Sequence, residues 1–354
     1  MELKEGCLPS YRKIPENDGN TGMKSQLMYH DKPLEPLDGP CEFRLSILIV
    51  NTNSGQLLTD CLESIYSTVR TKPFEVIVVD NNSDDGSVEA AKSGFPDVRF
   101  ICNSYNNWFT GGTNQAIVES RGENLLCLNP DTICHPGAID GMLEFLENHP
   151  NVGLAGPKLL NGDGTLQPSC RNYLTSRRLV LQHIFPWKKT PNSWRKHAVL
   201  EYWDHDETME VDWIIGACIL LPRKAVEEIG LKDEGYPIFH EETDWCYRLK
   251  KAGWHTWFLH DLEITHFGST TVSKLWGRGL VLEFYKGKHR FIRKQYGAFA
   301  LFVHRLLLTS LLSLRLMFLQ FRRIFSRNPE LKQETSVLLR GIAIQLGLNG
   351  KKDS

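Results

Sequence analysis

The stretch CLNPDT, residues 127–132, places Asp131 two residues after Asn129 at the end of an apolar run. An acid there is either a turn former or, through its hard oxygens, an anchor holding a divalent cation against phosphate. Further along, HEETDWCYRLKKAGW puts Glu241, Glu242 and Asp244 at a predicted helix start. The helix dipole favours negative charge there. Two carboxylates would satisfy it, whereas three repel one another, and a catalytic base needs that kind of setting. His266, in LEITHFGSTT, ends an extended run and is either a satisfied structural residue or a ligand. Asp80, in VVDNNSDDGS, either accepts from a ring N–H or caps the next helix. In NNWFTGGTNQA, Gly111 and Gly112 precede a predicted helix, where bare backbone can approach a ligand closely. That stretch is neither GxGxxG nor a Walker sequence, so dinucleotide and P-loop sites are unsupported.

These residues need elements to position them. LSILIV (45–50) and FEVIVVD (74–80) read as strands, and LLTDCLESIYSTV between them has helical spacing at Leu57, Leu58, Cys61, Leu62, Ile65 and Tyr66. A helix over 87–93, a strand over 98–103, a helix near 112–120 and a strand over 124–129 continue the rhythm. Such alternation predicts an α/β fold with a mostly parallel, Rossmann-like sheet and helices on both faces. Ligands bind such sheets beyond the carboxyl ends of the strands, where Thr52, Asn53, Asp80 to Asn82 and Asn129 to Asp131 fall. In the second half, 209–230 reads as strand, tight turn and helix, 240–254 as an amphipathic helix, and 255–268 as extended.

The 354 residues carry a formal charge of −1, so no global basic field points to nucleic acid. Nine scattered cysteines without a CxxC pair read as reduced core-fillers in a cytoplasmic protein. Residues 1–43 are polar, lack an apolar h-region, and are expected to be a poorly ordered extension. Residues 299–321 form the longest apolar stretch. Its length suits a membrane span, but Arg305 and Arg315 would together cost about 5–7 kcal/mol on insertion. Leu307, Leu311, Leu314 and Phe318 make one stripe, with Arg305, Ser313 and Gln320 off it. That pattern suits an in-plane helix on the inner face of a membrane, or a C-terminal helix packed on its own domain. The basic run KGKHRFIRK (286–294) reads as a solvated helix face or a contact for lipid-borne phosphates.

The ordered motifs LSILIVNTNSGQLLTDCLESI, VIVVDNNSDDGS, NWFTGGTNQAI, LCLNPDT, GDGTLQPSCR, VDWIIGACILLPRKAVEEIG and HEETDWCYRLKKAGWHTWFLHDLEITHFGSTT resemble family 2 glycosyltransferases. More narrowly, they resemble bacterial rhamnosyltransferase-type members that build cell-surface polysaccharides. The resemblance spans roughly residues 44–297. It implies a GT-A domain over that range, with a C-terminal helical segment over 298–354. It also implies an inverting transfer of sugar from a dTDP- or UDP-linked donor, rhamnose from dTDP-rhamnose being the first choice. The acceptor would be a saccharide, free or polyprenyl-diphosphate-linked. Asn51, Thr52, Asn53 and Asp80 would meet base and ribose, with Asn82, Gly111, Gly112 and Asn129 in the same donor site. Asp131 and His266 would hold Mg²⁺ or Mn²⁺. Gln167, Ser169 and Arg171 match a QxSxR pattern at the donor phosphate or sugar. Asp212, Trp213 and Gly216 would line the sugar and acceptor site. Glu241–Glu242 stands at an acidic motif that supplies the general base, for which Glu242 is favoured. Departures are Thr52 for an aromatic residue, Trp108 and Ala116 at small positions, and "EE" for "ED". Two other readings carry weight. A sugar nucleotidyltransferase would want a glycine-rich loop with a basic residue after the first strand, where VNTNSGQ stands. A catalytically inactive nucleotide-sugar-binding protein would account for the "EE" and "NPD" departures.

Overall fold

The computed structural model describes residues 34–184, 187–268, 280–325 and 330–348. The expected N-terminal extension lies outside them as far as residue 33, and Cys7 with it. Strands β1 (Phe43–Asn51), β2 (Phe74–Asp80), β3 (Arg99–Cys102) and β4 (Gly122–Leu128) alternate with helices α1 (Gln56–Thr68), α2 (Ser87–Gly94) and α3 (Trp108–Glu119). All adjacent pairs among these four strands are parallel, in the order β3-β2-β1-β4. The chain thus works outward from β1 to β3 and then returns to β1's other side. That reversal opens a crevice between the carboxyl ends of β1 and β4.

The sequence reading left residues 132–208 unassigned. They form the short strand β5 (Thr132–Cys134), helix α4 (Ala138–Asn148), strand β6 (Val152–Leu160), the two-residue strands β7 (Leu166–Gln167) and β8 (Cys170–Arg171), and helices α5 (Ser176–Ile184) and α6 (Asn192–Ala198). The stretch read as one strand before a helix is broken into β9 (Met209–Glu210), β10 (Trp213–Ile214) and β11 (Cys218–Pro222), followed by α7 (Arg223–Ile229). Helix α8 (Glu241–Lys251) and strand β12 (His255–His266) follow as expected. β11 runs antiparallel between β4 and β6, and β12 pairs parallel with β6, so the sheet stays mostly parallel. A long helix, Leu280–Phe325, kinks at Gly297 (φ 90°), and a last helix spans Glu330–Gln345.

The alternation of side chains along β1 divides the core. Leu45, Ile47 and Ile49 face Leu58, Cys61, Leu62 and Ile65 of α1. Leu48 faces the other way, toward Ala116 and Ile117 of α3 and Trp245 of α8. Burying such aliphatic side chains contributes roughly 1.5–3 kcal/mol each relative to exposure. Six of the eight described cysteines are buried in these layers, whereas Cys41 and Cys102 are exposed.

Candidate active site

A cavity of about 430 Å³ opens at the crevice between β1 and β4. Val50, Thr52 and Ser54 come from the first strand end, and Asn129, Pro130 and Asp131 from the end of β4. Trp108 and Phe109 from the start of α3, the turn 215–217, the loop Pro237–Phe239, Glu241 and Glu242, and Gln167, His266 and Gly268 complete the wall.

Asp131 and His266 meet on this wall because β5 pairs antiparallel with the end of β12, and Phe267 N donates to the Asp131 carbonyl. His266 Nδ1 lies 2.6 Å from Gln167 Oε1, whose oxygen can only accept, so Nδ1 carries the proton. In the neutral ring the Nε2 lone pair then faces Asn129 Nδ2 at 3.2 Å and Asp131 Oδ1 at 3.3 Å. Two acceptors side by side want a proton or a cation between them. A carboxylate oxygen beside an imidazole nitrogen is a donor set that fits Mn²⁺ or Mg²⁺. Among the described residues no group of three or more His, Cys, Asp and Glu could hold a metal. The remaining coordination positions would therefore fall to substrate oxygens and water.

Three acids open α8, but they are not equivalent. Asp244 is fully buried and paired with Arg248 at 3.0 Å, Lys294 at 3.2 Å and Gln295 at 2.7 Å. Glu241 and Glu242 are only 4 % and 7 % exposed, and each keeps an Oε2 without a hydrogen-bond partner among the described residues. Burial, reinforced by the neighbouring Glu241 carboxylate, raises the Glu242 carboxyl well above the ordinary glutamate range. Left-handed backbone at Phe239 (φ 63°) and His240 (φ 68°) swings the chain into the helix at this point. Such conformations cost non-glycine residues about 1–3 kcal/mol each. They are held by sutures from α3: Asn114 Nδ2 donates to the Lys232 carbonyl, Lys232 N donates back to Asn114 Oδ1, and Thr110 donates to the Tyr236 carbonyl.

Sequence reasoning passed over Lys232. It is 0 % exposed, its ammonium has no hydrogen-bond partner among the described residues, and it sits 4.9 Å from the Phe109 ring centre and 5.2 Å from that of Trp245. Its charge lowers the Glu242 pKa against the larger upward effect of burial. The local sequence, EIGLKDEGYPIF, sets Lys232 beside Asp233 and Glu234 and so reads as an ordinary solvated turn. Trp108 and Phe109 were also missed as cavity wall. Trp108 holds a positive φ of 58°, which fits a place where the resemblance expects small residues.

Other expected site residues lie elsewhere. Asn51 and Asp80 point into the sheet end: Asn51 Nδ2 donates to Asp80 Oδ1 at 2.7 Å, while Ser83 Oγ and Ser83 N donate to the same carboxylate. Asp80 is thus held inside the turn that follows β2; it does not cap α2, whose N-cap is Gly86. Asn53 and Asn82 adopt left-handed backbone (φ 51° and 61°) on the exposed surface beside it. Gly111 and Gly112 lie inside α3 rather than ahead of it. A Cβ on Gly112 would come within 2.8 Å of Val50, and one on Gly111 within 2.7 Å of Asn107. Their bareness thus serves the packing of α3 against Val50 and Asn107. Asp212 is tied off by Tyr173 N, Arg178 and Lys250, and it lines no part of the cavity. Arg171 donates to the carbonyls of Pro168 and Cys170 and does not line the cavity; burial lowers its pKa, against the opposing pull of Glu201 and Glu242. Trp213 donates to the Asn172 carbonyl and stands 6.2 Å from the His240 ring, behind the wall. Of that group Gly216 alone lines the cavity, where a Cβ would touch Glu242 at 3.8 Å.

Residues 46–229 match the sequence profile of Glycosyl transferase family 2, more than half of the chain. The chain belongs to glycosyltransferase family 2. Asp131 falls inside the matched segment, whereas Glu241, Glu242 and His266 lie beyond it. Among curated proteins it is similar to the N-acetylglucosaminyl-diphospho-decaprenol L-rhamnosyltransferase of Mycobacterium tuberculosis, 29 % identical over 235 residues, 63 % of this chain and 75 % of that one. It is also similar to the low-salt glycan biosynthesis hexosyltransferase Agl10 of Haloferax volcanii, 27 % identical over 214 residues, 58 % of this chain and 62 % of that one. The O-antigen biosynthesis protein RfbC of Myxococcus xanthus matches at 26 % identity over 217 residues, 59 % of this chain but 16 % of that larger protein. The protein is accordingly a glycosyltransferase.

Proposed function

We propose that this glycosyltransferase moves a sugar with inversion from a nucleoside-diphosphate donor to a hydroxyl of a diphospho-lipid-linked saccharide. L-rhamnose from dTDP-rhamnose is the first donor to test. One observation carries the reading: the Asp131–His266 pair and two buried, partly unsatisfied glutamates line a single cavity at the reversal of strand order. The similarity to a rhamnosyltransferase named for a decaprenol-linked substrate supports the sugar and the acceptor class.

Asp131 and His266, the latter oriented by Gln167, would hold a divalent cation. When bound, that ion neutralises negative charge gathering on the departing diphosphate. Trp108 and Phe109 give an apolar wall that excludes water from the reacting centre. Glu242 takes the proton from the acceptor hydroxyl as its oxygen bonds the anomeric carbon. The bond from that carbon to the diphosphate oxygen breaks on the opposite face, and the nucleoside diphosphate leaves. A raised pKa makes Glu242 a stronger base once deprotonated, and Lys232 keeps the deprotonated form within reach.

The test is release of nucleoside diphosphate from a panel of dTDP- and UDP-sugars, with and without Mn²⁺ and with and without a synthetic lipid-diphosphate N-acetylglucosamine acceptor. Acceptor-dependent release from dTDP-rhamnose, with inverted product, is expected. Pyrophosphate-dependent turnover would point to a nucleotidyltransferase. Binding of donor without turnover would point to the inactive reading.

A further inference from the structure

We infer that the helix beyond Gly297 lies in the plane of an anionic lipid surface, with one apolar stripe inserted among the acyl chains. The inference deepens the proposed reading, whose acceptor is lipid-linked, but it rests on separate observations. Phe299, Phe302, Leu306, Leu314 and Met317 are 57 % to 79 % exposed. At 100° per residue they share one side of the helix. The opposite side is already occupied: Leu308, Leu312 and Leu319 are buried against Leu179 of α5 and Leu338 of the last helix. This corrects the stripe expected at Leu307, Leu311, Leu314 and Phe318, of which the first two are half-buried and the last two exposed. The helix is apolar around most of its circumference, so periodicity alone could not set its phase. An exposed stripe of large apolar side chains on a helix anchored from behind marks an interaction surface.

Charge selects the occupant. Residues 280–354 contain fourteen Lys and Arg against four Asp and Glu, while the whole chain carries 41 against 42. A net basic segment that also carries the apolar stripe fits an anionic bilayer face. It disfavours a second copy, because a two-fold interface would set this basic segment against itself.

The helix Val281–Phe321 is long and apolar enough to cross a membrane. A spanning helix, however, must give its whole circumference to lipid or to other membrane helices. Here it is bound along one side to α5, which lies between β8 and β9 of the catalytic domain. Arg305 also donates to the Gln345 carbonyl. Upstream of the kink the same helix braces the cavity. Gly287 lets the Phe239 carbonyl and His240 approach to where a Cβ would lie only 2.9 and 3.1 Å away, and Arg290 and Lys294 hold Asp233. The lipid-facing stripe and the brace on the Glu241–Glu242 turn therefore lie on one continuous segment, on either side of the Gly297 kink.

The test is flotation of the full chain with vesicles of phosphatidylcholine alone or mixed with phosphatidylglycerol. Binding about ten-fold stronger to the anionic vesicles and weakening with salt is expected. Phe302→Glu combined with Met317→Glu should cut that binding about ten-fold or more, while Phe302→Leu with Met317→Leu should keep it. Equal binding to both vesicles, or an unaffected Glu variant, overturns the inference. So does a lipid-free dimer that the Glu variant dissociates, or resistance to alkaline extraction from vesicles. Thermal stabilisation of the Glu variant by nucleotide sugar in lipid-free buffer should equal that of the wild type. Failure of the donor reading would show there, apart from any result with lipid.

Discussion

Two acidic clusters at the sheet's functional edge make opposite use of burial. Around Asp80, three donors from Asn51 and Ser83 saturate the carboxylate, and the chain turns there without strain at the acid itself. At the start of α8, Glu241 and Glu242 are equally buried, yet each keeps an oxygen without a partner among the described residues, beside left-handed backbone. A satisfied buried carboxylate stabilises a fold, whereas an unsatisfied one costs stability and persists only when something else requires it. The comparison separates scaffold from chemistry without reference to sequence motifs. Asp244, three residues from Glu241, belongs with Asp80 by the same criterion.

Substitutions can break that comparison or sharpen it. Glu242→Gln should lower the turnover number about 10²- to 10⁴-fold, measured as acceptor-dependent transfer at saturating donor, with donor affinity nearly unchanged. Comparable turnover would remove Glu242 from the base role. Gln167→Leu, which frees the His266 ring, should weaken Mn²⁺ activation about 10- to 100-fold in a metal titration of the rate. An unchanged titration would separate the histidine from the metal.

Lys232→Met should act through pH. Glu242 accepts a proton only when ionised, so activity falls as pH drops through its raised pKa. Removing the nearby ammonium raises that pKa further, and the acidic limb of the kcat/KM profile should move to higher pH. A limb that stays in place would leave Lys232 a packing residue. Asp80→Asn should show the smallest effect on rate. It should leave kcat within a few-fold of wild type but lose about 1–3 kcal/mol of stability in denaturant unfolding.

Much of this architecture was legible in the sequence. The alternating strands and helices from Leu45 to Asn129 carried their own periodicity, whereas the reversal at β4 is a matter of strand order that alternation alone does not set. Asp131 and His266 stood out because they end apolar or extended runs, and Glu241 and Glu242 because three acids crowd a helix start. Partner choice was not legible. Whether Asp80 or Asp131 faces the cavity depends on where Ser83 and His266 lie in space, contacts that no local pattern encodes. Gly111 and Gly112 look the same in sequence whether they admit a ligand or a neighbouring strand. Residues 132–208 gave little signal because their strands are short or buried on both faces, which blurs the two-residue alternation.

The most direct test of the central contrast is calorimetric unfolding of Glu242→Gln beside the wild type at neutral pH. A carboxyl whose pKa is raised on folding favours the folded state at low pH, and that contribution is lost as pH rises. The account therefore predicts that the neutral amide leaves the melting temperature unchanged or raises it while transfer is lost. A melting temperature lowered by several degrees, with transfer intact, would contradict it.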